Sequence, residues 1–120
     1  MSISEPDVID AMAARGSELV MLVFDHFTWM VEQVQHLKYL QRKFNSYIRF
    51  IDNKGWKEKF GDMEFETYRI DVVFKYQWDK SFEKMIESVR DRLDEKNIKI
   101  TYRVGGNEDE KNTFYSWTKP

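Results

Sequence analysis

Residues 8–14 (VIDAMAA) and 19–26 (LVMLVFDH) form two short, mainly apolar runs separated by Arg15, Gly16, Ser17 and Glu18. Gly16 can supply the positive φ of a tight turn, so the pair reads as a β-hairpin. The second run is apolar at every position from Leu19 to Phe24. A strand of that kind is covered on both faces or lies inside a sheet, which favours a central place for it. From about Thr28 the period lengthens. Val31, Val34, Leu37, Phe44, Tyr47, Ile48 and Ile51 recur at three- and four-residue steps, with Glu32, Gln35, Lys38, Arg42, Lys43 and Arg49 between them. The spacing predicts a long amphipathic helix, capped by Thr28 and stopped by Asn53, Lys54 and Gly55. WKEKFGDME follows as an irregular link with room for one helical turn, pinned to the core edge by Trp56 and Phe60.

Residues 68–76 (YRIDVVFKY) alternate with period two. Tyr68, Ile70, Val72, Phe74 and Tyr76 share one face, and Arg69, Asp71, Val73 and Lys75 share the other. Asp79 or Ser81 then caps a second helix with the stripe Phe82, Met85, Ile86, Val89 and Leu93. Lys96 and Asn97 end it, since Asn tolerates the left-handed conformation. A last strand, IKITYRV, puts Ile98, Ile100, Tyr102 and Val104 on one face. The order β-β-α-β-α-β, with one apolar stripe per helix, predicts an α+β two-layer sandwich: a four-stranded mixed sheet with both helices on one face. If the third and fourth strands are neighbours, the helix between them makes them parallel.

The reading is one domain over 1–120, with a core at 7–104 and an acidic loop and aromatic tail at 105–120. Glu108, Asp109 and Glu110 mark the loop; Phe114, Tyr115 and Trp117 mark the tail. A disordered tail gains nothing from three aromatics, so it is expected to dock, as an edge strand or a clasp over the core.

Composition narrows the chemistry. The 120 residues contain no Cys, which removes disulfides, thiolate zinc sites and cysteine nucleophiles. The longest apolar run is far too short to cross a bilayer, and the opening MSISEPDVID has no basic or apolar leader region, so a cytoplasmic protein is expected. His26 and His36 are the only histidines, and their separation does not match an H-E-x-x-H zinc helix. No G-x-S-x-G, G-x-x-x-x-G-K-[ST] or G-x-G-x-x-G occurs. No cofactor or metal is expected.

Asp25 and His26, at a strand end and close to Trp29, are the one place where a pocket for general acid–base work could sit. The simpler reading has them terminate the strand, and His36 is an ordinary boundary histidine. Asp71 is expected on a wet sheet face, paired across strands rather than buried. Lys38, Arg42, Lys43 and Arg49, with Lys54, Lys57 and Lys59, make one locally basic stretch. A net charge of −2 argues against a nucleic-acid partner, and a solvated helix face explains those cations.

Nine Phe, six Tyr and four Trp are more rings than a small two-layer core hides. Trp29, Trp56, Trp78 and Trp117 fall near element ends, where rings seal a core or anchor a partner.

At P-D-V-I-D (6–10), D-H-F-T-W (25–29), H-L-x-x-L-Q (from 36) and D-V-V-F-K-Y (71–76), the chain resembles a bacterial family of uncharacterised small proteins. The resemblance covers about the first two-thirds and stops short of the tail. It implies a bacterial cytosolic α+β domain and transfers no catalytic residue. By type alone, such acidic, cysteine-free domains resemble immunity proteins, which occlude a toxin's active site.

The expected function is therefore protein binding without catalysis. Glu108, Asp109 and Glu110 would steer the partner and Trp117 would anchor it. The alternatives are a small enzyme or ligand-binding domain with a pocket at Asp25, His26 and Trp29, and a homodimer formed through an open edge strand. No membrane partner is expected.

Overall fold

The computed structural model describes residues 3–29 and 33–105. Strands β1 (Ala11–Arg15) and β2 (Glu18–Asp25) form the antiparallel hairpin, with Arg15 opposite Glu18 and Gly16 at φ 59° in the turn. Helix α1 (Gln33–Asp52), the single turn α2 (Lys57–Phe60), strand β3 (Thr67–Phe74), helix α3 (Lys80–Glu95) and strand β4 (Ile98–Val104) follow. The sheet order is β1-β2-β3-β4, with β2, β3 and β4 mutually parallel. The saturated strand β2 is internal, as its composition required.

One face of the sheet carries the main core. Leu19, Met21, Val23, Ile70, Val72, Phe74 and Ile98 meet Leu40, Phe44, Tyr47 and Ile51 of α1 and Phe82, Met85, Ile86 and Leu93 of α3. The architecture is thus the α+β two-layer sandwich with a mixed four-stranded sheet. Ile3 is 1% exposed within this core, so the packed region begins before residue 7. Trp56, also 1% exposed, fixes the α1–α2 corner and donates its indole N–H to the Met63 carbonyl at 3.1 Å.

Several local expectations are corrected. Residues 30–32, on which the predicted Thr28 cap of α1 would act, lie outside the described residues. Val34 is 69% exposed; the inward stripe of α1 is His36, Leu40, Lys43, Phe44, Tyr47 and Ile51. Two polar residues thus occupy core positions that a hydrophobicity pattern cannot assign.

At the end of α1, Gly55 N donates to Phe50 O at 2.9 Å and Lys54 N to Ile51 O at 3.1 Å, with Lys54 left-handed at φ 54°. This is the Schellman pair of bonds. Gly55 is required for close approach and not for its φ, because a Cβ there would overlap the Phe50 ring. Asp79 caps α3 by accepting from Ser81 N at 3.0 Å and from the Ser81 hydroxyl at 2.7 Å, and Asn97 closes the helix end at φ 61°. Tyr76 is 46% exposed because β3 ends at Phe74 and the chain turns toward that cap.

The other, outer face of the sheet has a small separate cluster: Val20 and Leu22, with Ala11, Phe24 and Val73 packed against them. The acidic loop and aromatic tail, including Glu108, Asp109, Glu110 and Trp117, lie outside the described residues. Among the described residues no helix is long and apolar enough to cross a membrane.

Candidate functional site

Among the described residues, ionisable side chains gather chiefly in two buried networks and on the outer sheet face. In the first network the Lys43 ammonium, wholly buried, donates to Glu5 O at 2.8 Å, Val8 O at 2.6 Å and Asp10 Oδ1 at 2.9 Å. Asp10 Oδ2 in turn accepts from Phe24 N at 2.9 Å. Tyr47 accepts from Asp10 N at 3.0 Å and donates to Leu22 O at 2.6 Å. Burial and the nearby Asp10 carboxylate push the Tyr47 phenol far above its ordinary value, so its proton remains available for that bond. The segment before β1 is thereby tied to α1 and to the middle of β2. The sequence reading had placed Lys43 on a solvated basic face. Lys38, Arg42, Arg49, Lys54, Lys57 and Lys59 are indeed exposed, but Lys43 is consumed by the fold.

The second network is centred on Asp25, which is fully buried. Oδ1 accepts from Phe27 N at 2.9 Å, and Oδ2 lies 2.5 Å from His36 Nε2. Trp29 stacks on the imidazole at 3.7 Å between centroids, and the Phe27 ring meets it edge-on. His36 Nδ1 and Trp29 Nε1 are buried without a hydrogen-bond partner among the described residues.

The three residues Asp25, His26 and Trp29 singled out in the sequence are oriented differently. His26 is exposed, Asp25 turns inward to a different histidine, and Trp29 seals that pair from water. His36 is no boundary residue. Asp25 and Trp29 fall in the D-H-x-x-W segment and His36 opens H-L-x-x-L-Q, but linear spacing does not say that the helix rotates His36 onto Asp25.

On the outer face Arg15, Arg69, Asp71, Thr101 and Arg103 surround a shallow depression of about 360 Å³ beside Val20. Asp71 accepts from the Thr101 hydroxyl at 2.9 Å and lies 3.9 Å from Arg103 Nε, while Arg69 Nε is 3.5 Å from Glu18 Oε2. Asp71 was expected to be solvated; it is only 8% exposed, because β4 rather than open water flanks it. Burial raises its carboxyl above the usual aspartate range, against the lowering effects of Thr101 and the two arginines.

A carboxyl whose pKa is higher folded than unfolded costs stability as pH rises. The loss begins near the unfolded value of about 3.9 and is complete above the folded one. Asp71→Asn keeps an oxygen for Thr101 and removes the titration. Its unfolding free energy, relative to wild type, is expected to improve steadily across that window. Denaturant titrations between about pH 3.5 and 7 measure this, and a constant difference between the two proteins would refute the assignment.

A further cavity of about 370 Å³ opens between the helices, lined by Phe44, Ile48, Met85 and Val89 with Arg92 and Lys96 at its polar side. Asp25, His26 and Trp29 are not among its lining residues. Among the described residues no group of three His, Cys, Asp or Glu side chains is arranged to hold a metal ion.

These features define a small α+β domain whose buried ionisable side chains brace the fold and whose second sheet face carries its charged display. The chain belongs to a family of unknown function, DUF6572, which it matches over residues 1–106. The match runs past the motif-bearing two-thirds, through the end of β4, and leaves residues 107–120 outside. No curated protein and no solved structure matches the chain.

Proposed function

We propose that this chain is a non-catalytic, protein-binding domain, and specifically an immunity-type inhibitor that blocks the active site of a cognate toxin. The observation that carries the reading is the fate of the reactive side chains. Asp25 and His36, the one acid–imidazole pair formed among the described residues, are 0% and 3% exposed and held against each other under Trp29. A substrate cannot reach a base so enclosed, and a base must come within hydrogen-bond reach of the proton it takes. Asp10, Lys43 and Tyr47 are likewise committed to backbone partners.

What is left for function is the exterior. Glu108, Asp109 and Glu110 would steer the molecule to a basic cleft, and Trp117 would supply the desolvated anchor. Co-expression with a toxin domain encoded beside it tests the reading. The full chain is expected to restore growth and to elute with the toxin as one complex, whereas the chain ending at residue 106 folds but does neither. Equal protection by the shortened chain would remove the tail from the contact; failure of the full chain to protect or bind would overturn the reading itself.

A further inference from the structure

Strands β2, β3 and β4 run parallel, so the helices that connect them, α1 and α3, both return against the strands and lie side by side, pointing the same way. Their C-terminal ends are tied together by Lys96 Nζ, which donates to Asp52 Oδ1 at 3.2 Å. Before that tie the helices part over the cavity of about 370 Å³. Buried Phe44, Met85 and Leu93 line its depth, and half-buried Ile48, Val89 and Ile100 line its sides. Gln41 and Asn45, one turn apart on α1, face Arg92 and Lys96, one turn apart on α3, across an exposed rim. No carboxylate is among the lining residues. Lys96 is shared with Asp52, whereas Arg92 makes no ion pair among the described residues. A cation in the last turn of α3 complements the helix dipole whichever way it points. That benefit does not require it to stand over an apolar groove.

We propose that this groove binds a small amphipathic monocarboxylate, with its apolar body between Ile48 and Val89 and its carboxylate on Arg92.

Size, polarity and charge agree. The volume falls at the lower end of the roughly 300–1,000 Å³ of small-ligand sites. Gln41 to Ile48 covers about 10 Å of the α1 axis, at roughly 1.5 Å per residue, which suits a medium-length chain and not a long lipid. Apolar sides with a few convergent polar groups are the usual lining of such sites. The Arg92 guanidinium is a planar fork that takes a carboxylate through two parallel N–H bonds, and Gln41 and Asn45 offer amide N–H groups from the opposite rim. A neutral ligand would leave Arg92 unused, and a dianion would meet a single unshared cation. The groove contains none of the residues assigned to the toxin contact, so it stands apart from that reading.

Octanoate and octanol, equal in chain length and different in charge, are the probes. In amide-resolved NMR of the full chain, octanoate is expected to shift Asn45, Ile48, Val89 and Arg92 saturably. Val20 and Leu22, on the opposite sheet face, should stay in place. Arg92→Gln should weaken octanoate about tenfold, the scale of one lost charge-assisted contact, and leave octanol unchanged. Arg90→Gln removes the same charge from an exposed position of the same helix outside the groove, and should change neither. Octanoate held no more tightly than octanol, or weakened equally by the two substitutions, would overturn the carboxylate assignment. Absence of saturable shifts, or shifts confined elsewhere, would overturn the site. Groove amides that move with protein concentration alone would overturn it too, because the occupant would then be a second copy.

Discussion

Lys43→Ala is expected to cost about 3–5 kcal/mol of folding stability, the range for breaking one side of a buried ion pair. For a chain of this length that corresponds to a fall in Tm of roughly 12–20 °C, taking about 4 °C per kcal/mol. The physical reason is what stays behind. The Asp10 carboxylate keeps its bond from Phe24 N but loses its countercharge in a site with no access to water, and the carbonyls of Glu5 and Val8 lose their common donor. The ammonium ties the segment from Ile3 to Asp10 to α1 at three points, so its amides should also exchange faster. Asp10→Asn together with Lys43→Met is expected to recover much of the loss, since the amide still accepts from Phe24 N and no charge is stranded. Guanidinium titrations of the two single variants and the double variant give the coupling. A Lys43→Ala protein within about 0.5 kcal/mol of wild type, the margin of an ordinary surface change, would mean that the ammonium reaches water and the network is not closed.

The same residue shows where a pattern of apolar and polar positions stops being informative. Strand β2 announced itself through Leu19–Phe24, and α3 through its stripe and its Asp79 cap, because burial of apolar surface is additive and local in sequence. Lys43 and His36 lie on the inward face of α1 for a different reason. Each is accepted there only because a carboxylate from a distant segment meets it: Asp10 for Lys43, Asp25 for His36. A pairing across 33 or 11 residues is a tertiary fact, invisible to a helical window. Once Lys43 and His36 are counted as inward, Val34 falls on the outside and its exposure follows.

Asp71 failed for a related reason. Its alternation correctly put it on the face opposite the main core, but wetness depends on what flanks the strand, and β4 with Thr101 and Arg103 closes around it. The strand order that decides this was not contained in the periodicity. The outer face illustrates the same limit from the other side: its strands were readable, whereas its near-complete burial at Val20 and Leu22 is a property of the assembled chain.

The sharpest separation between fold and chemistry comes from the two histidines. His36→Ala is expected to destabilise by about 3 kcal/mol or more, since it strands the buried Asp25 Oδ2 and opens a void beneath the Trp29 ring. His26→Ala, at an exposed position beside the same aspartate in sequence, is expected to stay within about 0.5 kcal/mol. Asp25→Asn belongs between them: its oxygen can still accept from Phe27 N, but an amide replaces the carboxylate at the contact to His36. Near-ultraviolet circular dichroism gives a second reading, because Trp29 also leans on Phe74 and Phe82 and should lose its fixed environment in His36→Ala alone. If His26→Ala were the damaging change and His36→Ala the silent one, the acid–imidazole pair would belong to the surface. The case for an interior devoted to architecture, on which the binding role rests, would then fall with it.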